Sequence, residues 1–149
     1  GSAEGVDVAP PEATDEVVHD RRALTLLVRN ALFARVRLAA FGATDELGGL
    51  DGEWGWRKPV WDQALARFYE EHDEIVLDGD ARSSAYYTID ESDERRARED
   101  GGHVWHVHQV FRDSDDDRDF GIWADVDLDA TQEEGAVVFS SYRVGFVDD

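Results

Sequence analysis

The order of the predicted elements constrains this chain most, because a helical first half is followed by long alternating strands. Residues 102–146 are typical of three antiparallel strands joined by two acidic turns. The alternation is clearest at 120–128, where apolar side chains occupy every second position and Asp125 and Asp127 fall on the other face. Helices followed by an antiparallel meander predict an α+β fold with the helices packed on one face of the sheet.

Two main helices are predicted before this meander. The first begins at Thr14, whose hydroxyl can cap it, and runs to about Phe41, where Gly42 ends it. The second covers residues 59–72 and has Pro59 in its first turn. A short helical turn is predicted at 44–51, closed by Gly48-Gly49, and a short strand at 74–77. Further strands are predicted at 84–89, 103–111 and 136–147.

A curved sheet wrapped around helices forms a cone, the arrangement of NTF2-like domains, and a plain two-layer α+β sandwich is the alternative. The inward face of such a sheet would carry aromatic and small polar side chains, with helix aromatics near the mouth. The pocket residues expected on this basis are Trp61, Tyr69, Tyr87, Trp105, Gln109, Ser140 and Tyr142. A few polar groups in an aromatic cavity are typical of small-molecule sites. Buried Gln, Ser and Tyr side chains, however, commonly bond to one another or to the backbone.

The 149 residues suffice for one domain. Residues 1–14 are small and acidic, with a Pro10-Pro11 pair, and predict a tag-cleavage scar followed by a flexible linker. Residues 15–149 are then a single α+β domain excised from the C-terminus of a longer protein. The chain contains no cysteine, which excludes disulfides, zinc–thiolate sites and thiol catalysis.

The net charge of −20 is the second strong feature of the sequence. An acidic surface repels phosphate backbones, so we expect no direct binding to nucleic acid. No apolar run approaches the length of about 20 residues that spans a bilayer, so we expect no membrane contact. The absence of cysteine suits a cytoplasmic protein, and we expect that location. The acidic surface is either simply solvated or docks on a basic surface of a partner.

Two segments superficially suggest metal binding. His106 and His108 lie two residues apart on one strand face, but no third ligand is evident, which favours two half-solvated histidines. Asp113, Asp115 and Asp117 match the first three ligand positions of a calcium loop. Arg118 stands at the required glycine and Ala124 stands at the bidentate glutamate, so a tight acidic hairpin loop is favoured and no metal is predicted.

Catalytic motifs are also missing from the sequence. It contains no GxxxxGK[ST], GxGxxG or GxSxG motif. The strand aspartates are expected to face outward, and only Asp73, Glu74 and Asp80 are placed near the mouth of the cone. We therefore predict no catalytic residue and no cofactor for this chain.

Core and turn segments between residues 21 and 144 carry a family resemblance. They include RNALF at 29–33, DEL at 45–47, FYEEHDEI at 68–75, GDAR at 79–82, WHVHQ at 105–109, DFGI at 119–122 and ADVDL at 124–128. Together they resemble the C-terminal part of an uncharacterised region that follows the motor in actinobacterial DEAD/DEAH-box helicases. The chain departs from that pattern in its longer loop at 91–102, and in His106 and His108, which replace arginines.

This resemblance implies a parent ATP-dependent helicase whose motor lies upstream. The chain itself would be a non-catalytic accessory or regulatory domain. Its partner would be the helicase core of the parent chain, with homodimerisation through the sheet as a further expectation. The alternative is an NTF2-like small-molecule-binding domain or enzyme that uses the pocket between helices and sheet.

Overall fold

A computed structural model describes residues 20–93 and 103–149. It confirms the predicted α+β class, with helices packed against an antiparallel sheet of four strands. The helices are α1 (Arg21–Ala40), α2 (Thr44–Asp51), α3 (Lys58–Glu71) and α4 (Leu128–Glu134). The strands are β1 (Tyr87–Asp90), β2 (Val104–Val110), β3 (Phe120–Asp127) and β4 (Phe139–Phe146). Short 3-10 turns occupy Gly52–Trp54, Gly79–Arg82 and Ser84–Tyr86.

Helix α1 is the longest of the described helices. Its first turn is capped by Asp20, whose carboxylate accepts the N–H groups of Arg22 and Ala23 at 3.0 and 3.2 Å. The predicted cap at Thr14 and the predicted linker at 1–14 lie outside the described residues. The helix buries a broad stripe, as its apolar pattern predicts: Leu24, Val28, Leu32, Phe33, Val36 and Ala39. None of the described helices is both long enough and apolar enough to cross a bilayer.

The sheet is a simple meander in the order β1-β2-β3-β4. The register pairs Val107 with Ala124, and Ala124 with Tyr142, so the same face of three strands meets the helices. The alternation predicted for β2 and β3 is confirmed, because Trp105 and Ile122 are buried on this face. The side chains of this inner face and the helices form one hydrophobic core.

Several predicted boundaries are wrong. Residues 74–77 form no strand and contribute only an isolated bridge between Ile75 and Asp113. Strand β1 begins at Tyr87 because Ser84–Tyr86 is a 3-10 turn. The second acidic turn contains α4, since the Asp127 carboxylate accepts the Ala130 N–H at 3.0 Å and caps a helix.

The pairing of β3 with β4 contains a bulge that the period-2 pattern did not predict. Asp125 lies opposite Ser141 and Val126 lies opposite Phe139, so Ser140 is an extra residue in β4. The bulge turns Ser140 to the exposed side. Its predicted inward position is therefore wrong, whereas Tyr142 faces the helices.

Candidate functional site

Three of the predicted pocket residues lie in the packed interior. Trp61 and Trp105 have no exposed surface, and Gln109 is 2% exposed. The Gln109 amide donates to the carbonyl oxygens of Tyr86 and Val110, each at 3.1 Å. The polar group of Gln109 is thus satisfied by the backbone and fills the core.

The remaining predicted pocket residues lie closer to the surface. Tyr87 is half-buried beneath Arg29, whose guanidinium carbon is 4.6 Å from the ring centroid. Tyr69 is 44% exposed at the surface of α3 and is not buried with Trp61. The reason is helical geometry: Phe68 already occupies the inward position of α3, and the next residue lies about 100° around the helix.

A buried ion pair was not predicted and organises the contact between helices and sheet. Asp51, at the end of α2, has no exposed surface. Its Oδ1 accepts from Arg35 Nε at 3.0 Å and from Arg35 Nη2 at 2.8 Å. Its Oδ2 accepts from the Tyr142 hydroxyl at 2.6 Å and from Trp61 Nε1 at 3.3 Å. One carboxylate therefore joins α1, α2, α3 and β4.

The charges and polar groups of this network are paired with one another. Burial raises the pKa of Tyr142 well above its ordinary value, and the negative charge of Asp51 raises it further, although Arg35 opposes the shift. Tyr142 therefore remains a neutral donor. The third guanidinium nitrogen of Arg35 donates to the Ala31 carbonyl at 2.8 Å. Such a satisfied network positions elements and leaves no group poised for proton transfer.

The outer face of the sheet, which points away from the helices, carries a stacked trio. The row Thr88, His108, Trp123 and Arg143 runs across all four strands in register. The rings of His108 and Trp123 stack with centroids 4.2 Å apart, and the Arg143 guanidinium carbon lies 4.1 Å from the Trp123 centroid. Burial and the nearby Arg143 charge lower the pKa of His108, so its imidazole is neutral at pH 7.

His106 shares this outer face with His108, as predicted, but has a different environment. Its Nδ1 is 2.5 Å from Asp125 Oδ1, and its Nε2 is 2.6 Å from Asp93 Oδ2. The hydrogen bond to Asp125, followed by that to Asp93, raises the pKa of His106. Both nitrogens are occupied by carboxylates, while His108 stacks on Trp123. The structure therefore does not orient the two imidazoles toward a common metal.

A second polar centre lies where the acidic loop, residues 113–119, meets the end of α3. Asp113 is 2% exposed, and its carboxylate accepts the N–H groups of Asp115, Asp117 and Arg118 at 3.0–3.1 Å. His72, which is 5% exposed, projects into this loop from the C-terminal end of α3. These bonds organise the loop around one buried carboxylate, as an acidic hairpin loop requires.

The two nitrogens of His72 differ in their contacts. Nε2 lies 2.8 Å from Asp119 Oδ1. Nδ1 is buried without a hydrogen-bond partner, 3.6 Å from Asp113 Oδ1 and 3.9 Å from Asp117 Oδ2. Burial lowers the pKa of His72, but the hydrogen bond to Asp119 and the charges of Asp113, Asp119 and Asp117 outweigh it and raise the pKa overall.

Comparison with known protein families matches this chain to an uncharacterised family. The family model of the domain of unknown function DUF3516 covers residues 2–144. The chain belongs to this uncharacterised family. No curated protein and no solved structure matched the chain.

For a DUF3516 domain with this structure, the described residues offer two features with a chemical role beyond packing. One is the aromatic and cationic stack around Trp123 on the outer sheet face. The other is His72 against the acidic loop, because an imidazole and several carboxylates converge there. Sequence reasoning examined the acidic loop alone and missed His72, whose only local signal is its position after an amphipathic helix.

Proposed function

We propose that this domain is a non-catalytic accessory and regulatory domain at the C-terminus of an ATP-dependent nucleic-acid helicase. The proposal starts from the segments that resemble the region following the motor in actinobacterial DEAD/DEAH-box helicases, among them residues 68–75 and 105–109. Its partner would be the helicase core of the parent chain. On this proposal the domain acts in the cytoplasm and contacts neither nucleic acid nor a membrane.

The observation that carries the proposal is the outer face of the sheet. Trp and Arg are the residue types that dominate the binding energy of protein interfaces. The Trp123 ring is held in place by stacking with His108 on β2 and Arg143 on β4. A partner would therefore meet a pre-ordered ring, and little side-chain entropy would be lost on binding. The net charge of −20 would favour a basic surface on the motor.

The interior gives less support to the alternative, an NTF2-like small-molecule binder or enzyme. Trp61, Trp105 and Gln109 are packed into the core where a ligand would have to bind. The buried acid Asp51 is neutralised by Arg35, so it is not available as a general base. An NTF2-like cone remains our architectural proposal, supported by an antiparallel meander that packs its inner face against helices.

The proposal is tested by measuring the affinity of this domain for the motor segment of the parent helicase by calorimetry. Trp123→Ala is expected to weaken binding by about 30-fold, the effect of losing roughly 2 kcal/mol at an interface hot spot. Phe41→Ala is the matched control, because Phe41 is an aromatic residue that is 74% exposed at the end of α1.

Two results would contradict the proposal. One is a parent helicase whose ATPase rate, unwinding rate and substrate affinity are unchanged when the domain is deleted. The other is a free domain that forms a dimer which Trp123→Ala dissociates, with no affinity for the motor. The outer face would then serve self-association.

A further inference from the structure

The starting point is a buried nitrogen that has no hydrogen-bond partner. His72 Nδ1 has no donor or acceptor within hydrogen-bond reach, although the residue is 95% buried. Buried polar atoms are nearly always bonded, so an orphan atom requires an explanation. Asp113 Oδ1, its nearest carboxylate oxygen, is 3.6 Å away, which is too long for a hydrogen bond.

The other nitrogen determines what Nδ1 can do. His72 Nε2 lies 2.8 Å from Asp119 Oδ1, and a neutral imidazole in this position donates its one N–H to that carboxylate. The Nδ1 lone pair then points into the acidic loop. A carboxylate that fixes the ring through its second nitrogen is the usual arrangement of a metal-binding histidine.

The oxygens that face Nδ1 have the spacing of a coordination shell. One atom from each of His72, Asp113, Asp115 and Asp117 lies within 4.8 Å of the others. Metal bonds of about 2.0–2.2 Å place ligand atoms roughly 3 to 4.4 Å apart. Asp115 and Asp117 are exposed, so rotation of their side chains can bring the ligand atoms a few tenths of an ångström closer together.

We propose that His72 and the acidic loop bind a divalent first-row transition cation, with Nδ1 of His72 and the carboxylates of Asp113, Asp115 and Asp117 as ligands. Three carboxylates and one imidazole suit Mn²⁺ and Zn²⁺, because carboxylates favour Mn²⁺ and imidazole favours Zn²⁺. Ca²⁺ prefers six to eight oxygen ligands and gains little from the nitrogen. The bound ion would tie the C-terminal end of α3 to the β2–β3 connection.

The test is titration of the 149-residue chain with Mn²⁺, Zn²⁺ and Ca²⁺ by calorimetry, with Mn²⁺ binding also followed by electron paramagnetic resonance. One Mn²⁺ or Zn²⁺ per chain is expected. Asp115→Asn and Asp117→Asn should each weaken binding at least tenfold. Asp119→Ala should weaken it about 10–100-fold, since the ring loses the acceptor that orients it.

The loop supplies a matched control. Asp116→Asn removes the same charge from the same loop, but the Asp116 carboxylate is paired with Arg118 and Tyr86 instead of facing His72. The affinity of the Asp116→Asn variant for Mn²⁺ or Zn²⁺ should equal that of the unmodified chain. His106→Asn, which removes another histidine flanked by carboxylates, should also leave the affinity unchanged.

His72→Gln should abolish binding but can also disturb the core, because the ring packs 5.0 Å from Phe68. The nitrogen-15 resonance of His72 Nδ1 in the unmodified chain avoids this ambiguity, and Zn²⁺ should shift it selectively. Three results would overturn the proposal. The chain could bind no cation, or it could bind Ca²⁺ without any shift of this resonance. The third is a loss of cation affinity in Asp116→Asn that equals the loss in Asp115→Asn.

Discussion

Arg35 and Asp51 form an ion pair that is buried between helices α1 and α2 and is shared with strand β4 through Tyr142. Two guanidinium nitrogens of Arg35 donate to Asp51 Oδ1, and Nε also reaches Oδ2 at 3.3 Å. Oδ2 accepts in addition from Tyr142 and Trp61. One carboxylate, that of Asp51, thus holds helices α1, α2 and α3 against the sheet. This relationship yields the most direct predictions about folding.

Asp51→Ala should lower the free energy of unfolding by about 3–5 kcal/mol, because it leaves the Arg35 charge buried without a partner. Urea denaturation followed by tryptophan fluorescence measures this loss. The double variant Arg35→Met, Asp51→Leu should lose less than the single variant, since it removes both charges. A loss below about 1 kcal/mol for Asp51→Ala would contradict the structural role of the pair.

Tyr142→Phe should destabilise the domain by about 1.5–3 kcal/mol, the usual range for a hydrogen bond to a charged group. The hydroxyl that is lost donates to Asp51 at 2.6 Å. Tyr69→Phe is the control, because Tyr69 is 44% exposed and its change should stay within about 0.5 kcal/mol. Equal stability losses in the two variants, measured by urea denaturation, would argue against a specific bond.

Gly121→Ala should destabilise the sheet because β2 and β3 approach closely there. A Cβ atom at position 121 would lie 2.2 Å from the Gln109 carbonyl oxygen, and backbone cannot move aside as a side chain can. We expect a loss of about 1–3 kcal/mol, the usual range for overpacking. The opposite sign is expected for Gly49→Ala in α2, where a Cβ meets nothing within 4 Å and alanine favours the helix by up to about 1 kcal/mol. Thermal denaturation of both variants checks the two signs.

The sequence predicted the sheet faces well because each strand buries one side, and period-2 alternation reports that burial directly. It failed at Ser140, where a bulge shifts the period by one residue. It also failed at α4, whose capping residue Asp127 is at the same time the last residue of β3. The apolar alternation of residues 120–128 includes Leu128, the first residue of α4. The strand pattern therefore continued into the helix, and the capping signal of Asp127 was not recognised.

The polar centres were harder to predict than the core. Arg35 lies on the buried stripe of α1, which is a signal for a buried partner, but no local pattern identifies that partner as Asp51. His72 and the acidic loop are likewise joined only by the tertiary fold. Such pairs depend on contacts between distant segments, and neither periodicity nor motif spacing records these contacts.

The stability of the domain should depend on pH through His106. Hydrogen bonds to Asp125 and Asp93 raise its pKa above the ordinary value of about 6.5. A raised pKa means that the folded state binds the proton more tightly than the unfolded state. The stabilising contribution is therefore fully present below about pH 6.5 and is lost as the pH rises through the folded-state pKa.

His106→Gln removes this contribution, and its effect is isolated by subtracting the stability of the variant from that of the unmodified chain at each pH. The difference should be larger at pH 5.5 than at pH 8.5 but should stay below about 1 kcal/mol, because the side chain is 41% exposed and solvent screens it. His108 provides an internal comparison, since burial and then Arg143 lower its pKa. An NMR titration should therefore show His106 losing its proton at higher pH than His108, and the reverse order would contradict the two environments.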